Sequence, residues 1–130
     1  MVKGNCHCEA ISYEASGDPV YSALCHCSDC QKSAGAPMVG WTLFPEGQVT
    51  ISGKPVLYQS SEDATRHFCG NCGTGLFYTN LVTFPGMIDI QTATLTDQSV
   101  FPPAIHVQYV EAAPWMEGAG ALPKFDRYPA

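Results

Sequence analysis

The chain is short of positive charge. Of its 130 residues four are Lys and two are Arg, against 12 Asp and Glu, for a formal net charge of −6. Proteins that bind nucleic acid draw most of their affinity from clustered basic residues that neutralise phosphates, so DNA and RNA are not expected partners. Long apolar runs are lacking as well. No stretch reaches the roughly 18 uninterrupted apolar residues of a membrane span, and Met1-Val2-Lys3-Gly4-Asn5-Cys6 has no apolar signal-peptide core. These absences predict a cytoplasmic protein with no membrane partner.

Helical periodicity and internal repeats are also missing. In their place, short β-branched and aromatic runs alternate with Gly, Pro, Asp and Asn, the pattern of a mainly β fold. Apolar residues make up 45% and charged residues 14%, which suits a globular chain rather than a disordered one. The length predicts one domain, residues 1–130, that buries roughly two-thirds of its unfolded surface. Strands are predicted over residues 10–14, 20–24, 38–44, 49–51, 56–59, 65–68, 76–79, 87–92 and 105–110. Breakers such as Gly17-Asp18-Pro19, Pro45-Glu46-Gly47 and Pro102-Pro103 separate them. One helical turn is predicted over residues 28–34, with Ser28 as its cap and Gly35 and Pro37 ending it. Residues 111–130 are rich in Pro and Gly but carry Trp115, Met116, Leu122, Phe125 and Tyr128, so they are predicted to pack as irregular structure.

Seven cysteines, an odd number, fall into three tight clusters. A reducing compartment disfavours structural disulfides, so metal ligation is the reading that the clustering supports. Cys6-His7-Cys8 is a C-x-C pair whose sulfurs share one face if the backbone is extended. Cys69-Gly70-Asn71-Cys72 is a C-x-x-C knuckle whose glycines allow a tight turn around an ion. Two closed four-sulfur zinc sites would need eight cysteines. Pairing Cys6 and Cys8 with Cys69 and Cys72 closes one structural zinc site and leaves Cys25, Cys27 and Cys30 as a catalytic-type zinc site one ligand short. The triplet could instead take a fourth ligand such as a histidine, or work as a redox dithiol at Cys27 and Cys30. The latter usually accompanies a βαβ pattern that this chain does not show. His7 and His26 lie inside C-x-C pairs and are expected to point away from the adjacent sulfurs, while His67 and His106 read as structural. Asp29 reads as a helix cap or, alternatively, a proton acceptor, and Gln31, Lys32 and Ser33 as an exposed turn within reach of a ligand.

Gly4-Asn5-Cys6-His7-Cys8, then Cys25-His26-Cys27-Ser28-Asp29-Cys30-Gln31-Lys32-Ser33-Ala34-Gly35, then Phe68-Cys69-Gly70-Asn71-Cys72-Gly73-Thr74 resembles the glutathione-dependent formaldehyde-activating enzyme family, which includes centromere-protein-V-like members. His106-Val107 and Pro114-Trp115 agree with the C-terminal part of that family. The resemblance implies a zinc-containing β-tent fold of short antiparallel strands with at most one or two short helical turns. It implies the same division of ligands: Cys6, Cys8, Cys69 and Cys72 around a structural zinc, and Cys25, Cys27 and Cys30 around a catalytic one, two ions per chain. It also implies a carbon–sulfur lyase acting on a small thiol adduct, such as glutathione joined to formaldehyde. The alternatives are a non-catalytic zinc-stabilised binding module and a thiol or aldehyde sensor. Gln31-Lys32 follows the triplet where family members often carry Arg.

Overall fold

The computed structural model describes residues 1–129. In chain order the strands are β1 (Val2–Asn5), β2 (Ser12–Ala15), β3 (Tyr21–Cys25), β4 (Val39–Pro45), β5 (Val49–Ser52), β6 (Val56–Gln59), β7 (Ala64–Phe68), β8 (Gly75–Asn80), β9 (Met87–Gln91) and β10 (Ile105–Val107). Among the described residues a single α-helix, α1 (Ser28–Ala34), follows β3; of four short 3-10 segments, two lie between strands and two follow β10. Strands β1, β2 and β5 make a three-stranded sheet, and the other seven make a second sheet in the order β10-β3-β4-β9-β8-β7-β6. The mainly β architecture is the one that the alternating runs predict.

The two sheets meet over the larger apolar cluster, in which Tyr13, Phe44, Leu76, Phe77 and Ile90 are buried. Burying a side chain of the size of Phe77 contributes ~1.5–3 kcal/mol relative to leaving it exposed. Gly4 packs tightly between the Tyr13 side chain on β2 and the backbone at Thr94. A Cβ there would lie 2.3 Å from the Thr94 carbonyl oxygen and 2.3 Å from the Tyr13 hydroxyl, so no larger residue fits. A second, smaller apolar cluster gathers Cys25, Cys30, Val39 and Trp41, with Cys27, Tyr78 and Val107 packed against it. The chain thus has two packed regions, and each holds one cysteine cluster.

Several expectations need correction. Strand β1 had no prediction, because Lys3, Gly4 and Asn5 are poor strand formers; it forms by pairing Val2 with Ala15 through to Asn5 with Ser12. Strand β10 is three residues long, and it pairs parallel with β3, whereas the remaining pairings are antiparallel. Residue 27, not Ser28, caps α1: the Cys27 sulfur accepts from the Cys30 N–H. Gly35 ends the helix in the left-handed conformation at φ 62°. The final segment does not pack as predicted. Trp115 is 58% exposed and Tyr128 88%, with Leu122 and Phe125 also exposed, because Pro, Gly and Ala leave too few apolar neighbours to cover them. Ala130, the end of that predicted stretch, lies outside the described residues.

Candidate active site

All seven cysteines are free thiols, and they assemble into two clusters. In the first, the sulfurs of Cys6, Cys8, Cys69 and Cys72 lie within 4.8 Å of one another. Cys8 Sγ is 3.7 Å from both Cys6 Sγ and Cys69 Sγ. A disulfide needs about 2.05 Å, whereas four sulfurs at about 2.3 Å from a central ion are about 3.8 Å apart along a tetrahedral edge. The spacing fits a shared metal ion.

Two tight turns build this cluster. The Glu9 N–H donates to the Cys6 carbonyl, with Glu9 itself at φ 66°, and the Gly73 N–H donates to the Cys69 carbonyl, with Gly73 at φ 84°. Cys6 and Cys8 therefore converge from a turn and not from the extended backbone that was predicted. Backbone N–H groups of Ile11 and Asn71 donate to the sulfurs of Cys6 and Cys69. Hydrogen bonds from the Thr74 side chain and backbone hold the Cys72 thiol down at about 5, and the Asn71 side chain lowers Cys8. Burial pushes Cys6 up. Donors aimed at sulfur favour the thiolate, the form that binds metal.

The second cluster is Cys25, Cys27 and Cys30, also within 4.8 Å of one another. Cys25 ends β3, Cys27 caps α1, and Cys30 lies in the first turn of that helix. No fourth His, Cys, Asp or Glu among the described residues joins them. His26 is not a fourth ligand: its Nε2 lies 2.8 Å from His106 Nδ1, and its ring packs edge-on against Tyr109 at 4.9 Å. Burial keeps His26 below its ordinary range, so it stays neutral inside the protein. His7 is exposed, and the His67 Nε2 lies 3.2 Å from the Thr79 hydroxyl.

The triplet opens onto a cavity of about 390 Å³ whose apolar walls are Trp41, Tyr78, Phe84 and Val107. Two residues with no signal in the cysteine pattern complete it, Arg66 and Asp89. Arg66 reaches from β7 across the Tyr78 ring, with its guanidinium carbon 5.0 Å from the ring centre. Its Nη2 lies 3.6 Å from Cys30 Sγ and 3.8 Å from Asp29 Oδ2. Hydrogen bonds from Cys25, then Cys27, then Arg66 bring the Cys30 thiol down to about 5, while its neighbour Cys25 is pushed up. Asp29 is 64% exposed and pairs with Arg66, so it is not the predicted cap. Gln31 donates from Nε2 to the carbonyls of His26 and Glu111 and tethers α1 to the chain after β10. Ser28 donates from its N–H and its hydroxyl to Glu111 Oε1, which adds to the same tether.

The sequence profile described as glutathione-dependent formaldehyde-activating enzyme matches residues 1–111, a span that holds both clusters and the cavity. The chain belongs to that family. A Schizosaccharomyces pombe protein named as an uncharacterized lyase is 35% identical over 80 residues, which is 60% of this chain and 58% of the yeast protein. The chain thus spans less than two-thirds of that relative. A crystal structure of a Rhodobacter sphaeroides protein superposes with a TM-score of 0.65 at 19% identity, over 81% of this chain and 99% of that one. It supports the fold alone. Within the formaldehyde-activating enzyme family, the division of seven cysteines into a group of four and a group of three has a physical basis here: the two groups sit in separate packed regions. Among the described residues, no helix is long and apolar enough to cross a membrane.

Proposed function

We propose that the protein is a zinc-dependent carbon–sulfur lyase that makes or breaks the bond between the sulfur of a small thiol and an aldehyde carbon. The observation that carries this reading is the open triplet: three thiols converge at one end of a cavity, and no fourth protein ligand completes them. An all-sulfur donor set of this kind is matched to zinc. Cys6, Cys8, Cys69 and Cys72 would hold a structural ion, and Cys25, Cys27 and Cys30 a second one, two zinc ions per chain. Bound at the triplet, zinc supplies a Lewis acid that favours the thiolate form of a sulfur ligand or polarises a carbonyl oxygen.

The chain's own residues do the rest. Trp41, Tyr78 and Phe84 give the cavity apolar walls that hold the carbon skeleton of the thiol and exclude water from the reacting carbon. Among the described residues Arg66 is the one cation lining the cavity; it adds to the hydrogen bonds from Cys25 and Cys27 that lower the Cys30 thiol, and it offers its remaining donors to a substrate carboxylate. That single positive group suits a thiol with one carboxylate near the site; glutathione, which carries two, has to leave the other in solvent. Reduced cysteines need a reducing compartment, and the enzyme belongs in the cytoplasm on this reading.

The test is metal content together with turnover. Purified protein is expected to carry two zinc ions, one lost to mild chelation and one retained. Cys27→Ser is expected to keep the fold, lose the labile ion and lose exchange between thiol and aldehyde across a panel that includes glutathione and formaldehyde. Two tightly held ions with no turnover by the wild-type protein would favour a binding module. Binding of thiols at the labile ion without product would favour a sensor.

A further inference from the structure

Asp89 is a buried carboxyl in the lining of the cavity. Cross-strand pairing puts Tyr21 opposite Leu43, Leu43 opposite Asp89, Asp89 opposite Tyr78, and Tyr78 opposite Arg66. Directly opposed residues project to the same face of a sheet, so Asp89 shares its face with Tyr21 and Arg66, both of which line the cavity with it. Arg66 is two strands away, about 10 Å at ordinary strand spacing, and is occupied by Cys30 and Asp29. Asp89 is only 5% exposed, and its Oδ1 has no hydrogen-bond partner. A carboxyl buried in a central strand for structural reasons would be paired or hydrogen-bonded, because an unpaired charge there is costly. Asp89 lines the cavity, so a ligand there meets its carboxyl, whose Oδ1 is itself closed to solvent and unpartnered.

We propose that Asp89 is the group that moves the proton in this cavity, an assignment that rests on the carbon–sulfur lyase reading. In the cleavage direction the Asp89 carboxylate takes the hydroxyl proton of an S-(hydroxyalkyl) adduct. The O–H electron pair becomes the second carbon–oxygen bond, and the carbon–sulfur pair leaves on sulfur. Adduct and Asp89 carboxylate thus become aldehyde, thiolate and Asp89 carboxylic acid, with nothing oxidised or reduced. The proton then passes to the departing thiolate or to water at the cavity mouth, which restores the carboxylate. In the joining direction the carboxylic acid gives its proton to the carbonyl oxygen as the thiolate attacks carbon. The substrate is an adduct with a free hydroxyl on the carbon that bears sulfur; a thioether without that hydroxyl has no proton for Asp89 to take.

The surroundings suit this role. Burial first, and the negative charge of Cys30 second, push the Asp89 carboxyl up to about 7, so both protonation states are populated near neutrality. A proton-transfer group is most effective when its pKa lies near the working pH. The other titratable groups around the cavity are Cys25, Cys27 and Cys30 at one end, Tyr21 from β3, Tyr78 from β8, and Arg66 paired with Asp29. Burial raises the Tyr21 phenol to about 12, so Tyr21 stays neutral and cannot account for a change near pH 7.

The experiment compares zinc-loaded wild-type protein with Asp89→Asn and Asp89→Glu. Infrared spectra of the wild type after removal of the chelator-labile ion, with no substrate present, are expected to show a protonated carboxyl band that fades as pH rises through about 7 and that is missing in Asp89→Asn. With a thiol and aldehyde pair that the wild type turns over, Asp89→Asn is expected to lower kcat by about 10²–10⁴-fold with zinc content unchanged and KM little altered, and Asp89→Glu to recover part of the loss. Loss of the alkaline limb of the kcat/KM profile in Asp89→Asn, the limb on which the carboxylic acid needed in the joining direction is lost, would support the role further. Turnover by Asp89→Asn close to wild type, or the absence of a carboxyl band titrating near neutrality, overturns the Asp89 role and leaves the lyase reading standing. Absence of wild-type turnover across the panel overturns the lyase reading and this role with it, while the infrared result still reports the protonation state. Should Asp89→Asn fail to fold, Asp89→Glu decides: a carboxyl band unmoved by that substitution together with turnover close to wild type overturns the role.

Discussion

His26 Nε2 and His106 Nδ1 lie 2.8 Å apart across 80 residues of chain, sharing one proton between a fully buried ring and an exposed one. The contact ties the residue between two cysteines of the triplet to β10, where Val107 pairs with Cys25 and accepts a hydrogen bond from the His26 N–H. The other nitrogen of His26, Nδ1, has no partner, so His106 supplies the only hydrogen bond that the ring makes. His106→Ala is expected to cost about 1–3 kcal/mol, the penalty for leaving a buried polar group unsatisfied. Denaturant melts of the two proteins check this, and loss of the chelator-labile zinc should accompany it.

The two cysteine clusters are expected to respond differently to the same substitution. Cys69→Ser opens the cluster that borders the main core and joins the start of the chain to the β7–β8 turn, and should lower stability by several kcal/mol. Cys27→Ser keeps a side-chain oxygen where the helix cap needs an acceptor, so the fold should survive within about 1 kcal/mol. Thermal melts with matched zinc analysis would separate the two behaviours. Equal losses of stability would contradict the division into a structural and an open site.

Arg66→Met should change the reactivity of Cys30 before any substrate is present. Removing the guanidinium 3.6 Å from the Cys30 sulfur takes away one of the groups that hold the thiol down to about 5. Each unit of upward shift cuts the thiolate fraction roughly tenfold where the thiol is mostly protonated. Alkylation of the metal-free protein, mapped by mass spectrometry at mildly acidic pH, should therefore be slower at Cys30 in the variant. An unchanged rate would mean that the neighbouring thiols alone set its acidity.

Asp89 also predicts a pH dependence of stability, with a definite sign. Its folded value of about 7 lies above the ordinary carboxyl range, so the folded protein binds the extra proton. The contribution of Asp89 to stability is therefore greatest below the unfolded pKa of about 4 and falls as pH rises to about 7. Asp89→Asn should match the wild type near the acidic end and be more stable at pH 7 by on the order of 1–3 kcal/mol, after allowance for relaxation around the buried charge. Urea melts across this range check it. A variant less stable than the wild type at pH 7 would show that the carboxylate has a partner in solution.

The sequence made the two cysteine clusters legible because C-x-C and C-x-x-C motifs are local. The spacing of C-x-C and C-x-x-C is set within a few residues, and the turns at Glu9 and Gly73 bring the sulfurs together as the motif requires. The helix at Ser28–Ala34 was equally plain, bounded by Gly35 and Pro37. Arg66 and Asp89 were not visible in this way. They meet the triplet through cross-strand register over five strands, which no local pattern encodes. One local sign was available for Asp89: a lone carboxyl inside the apolar run Met87-Ile88-Asp89-Ile90, where a central strand has no structural use for one. Strand β1 was hidden for the opposite reason, since its residues favour no strand and its pairing with β2 supplies the stabilisation. The final segment misled because aromatic content was read as a sign of burial.

The parallel pairing of β10 on β3 bears on the order in which the two sites can be built. A chain leaving the ribosome has presented all four cysteines of the first cluster once residue 72 is free, so that cluster can close while later strands are still being made. Cys25, Cys27 and Cys30 emerge much earlier, yet β3 lacks its outer neighbour, and His26 its partner, until residues 105–107 appear. Chain order thus makes the partners of the four-cysteine cluster available first, and the enclosure of the triplet by β10 last.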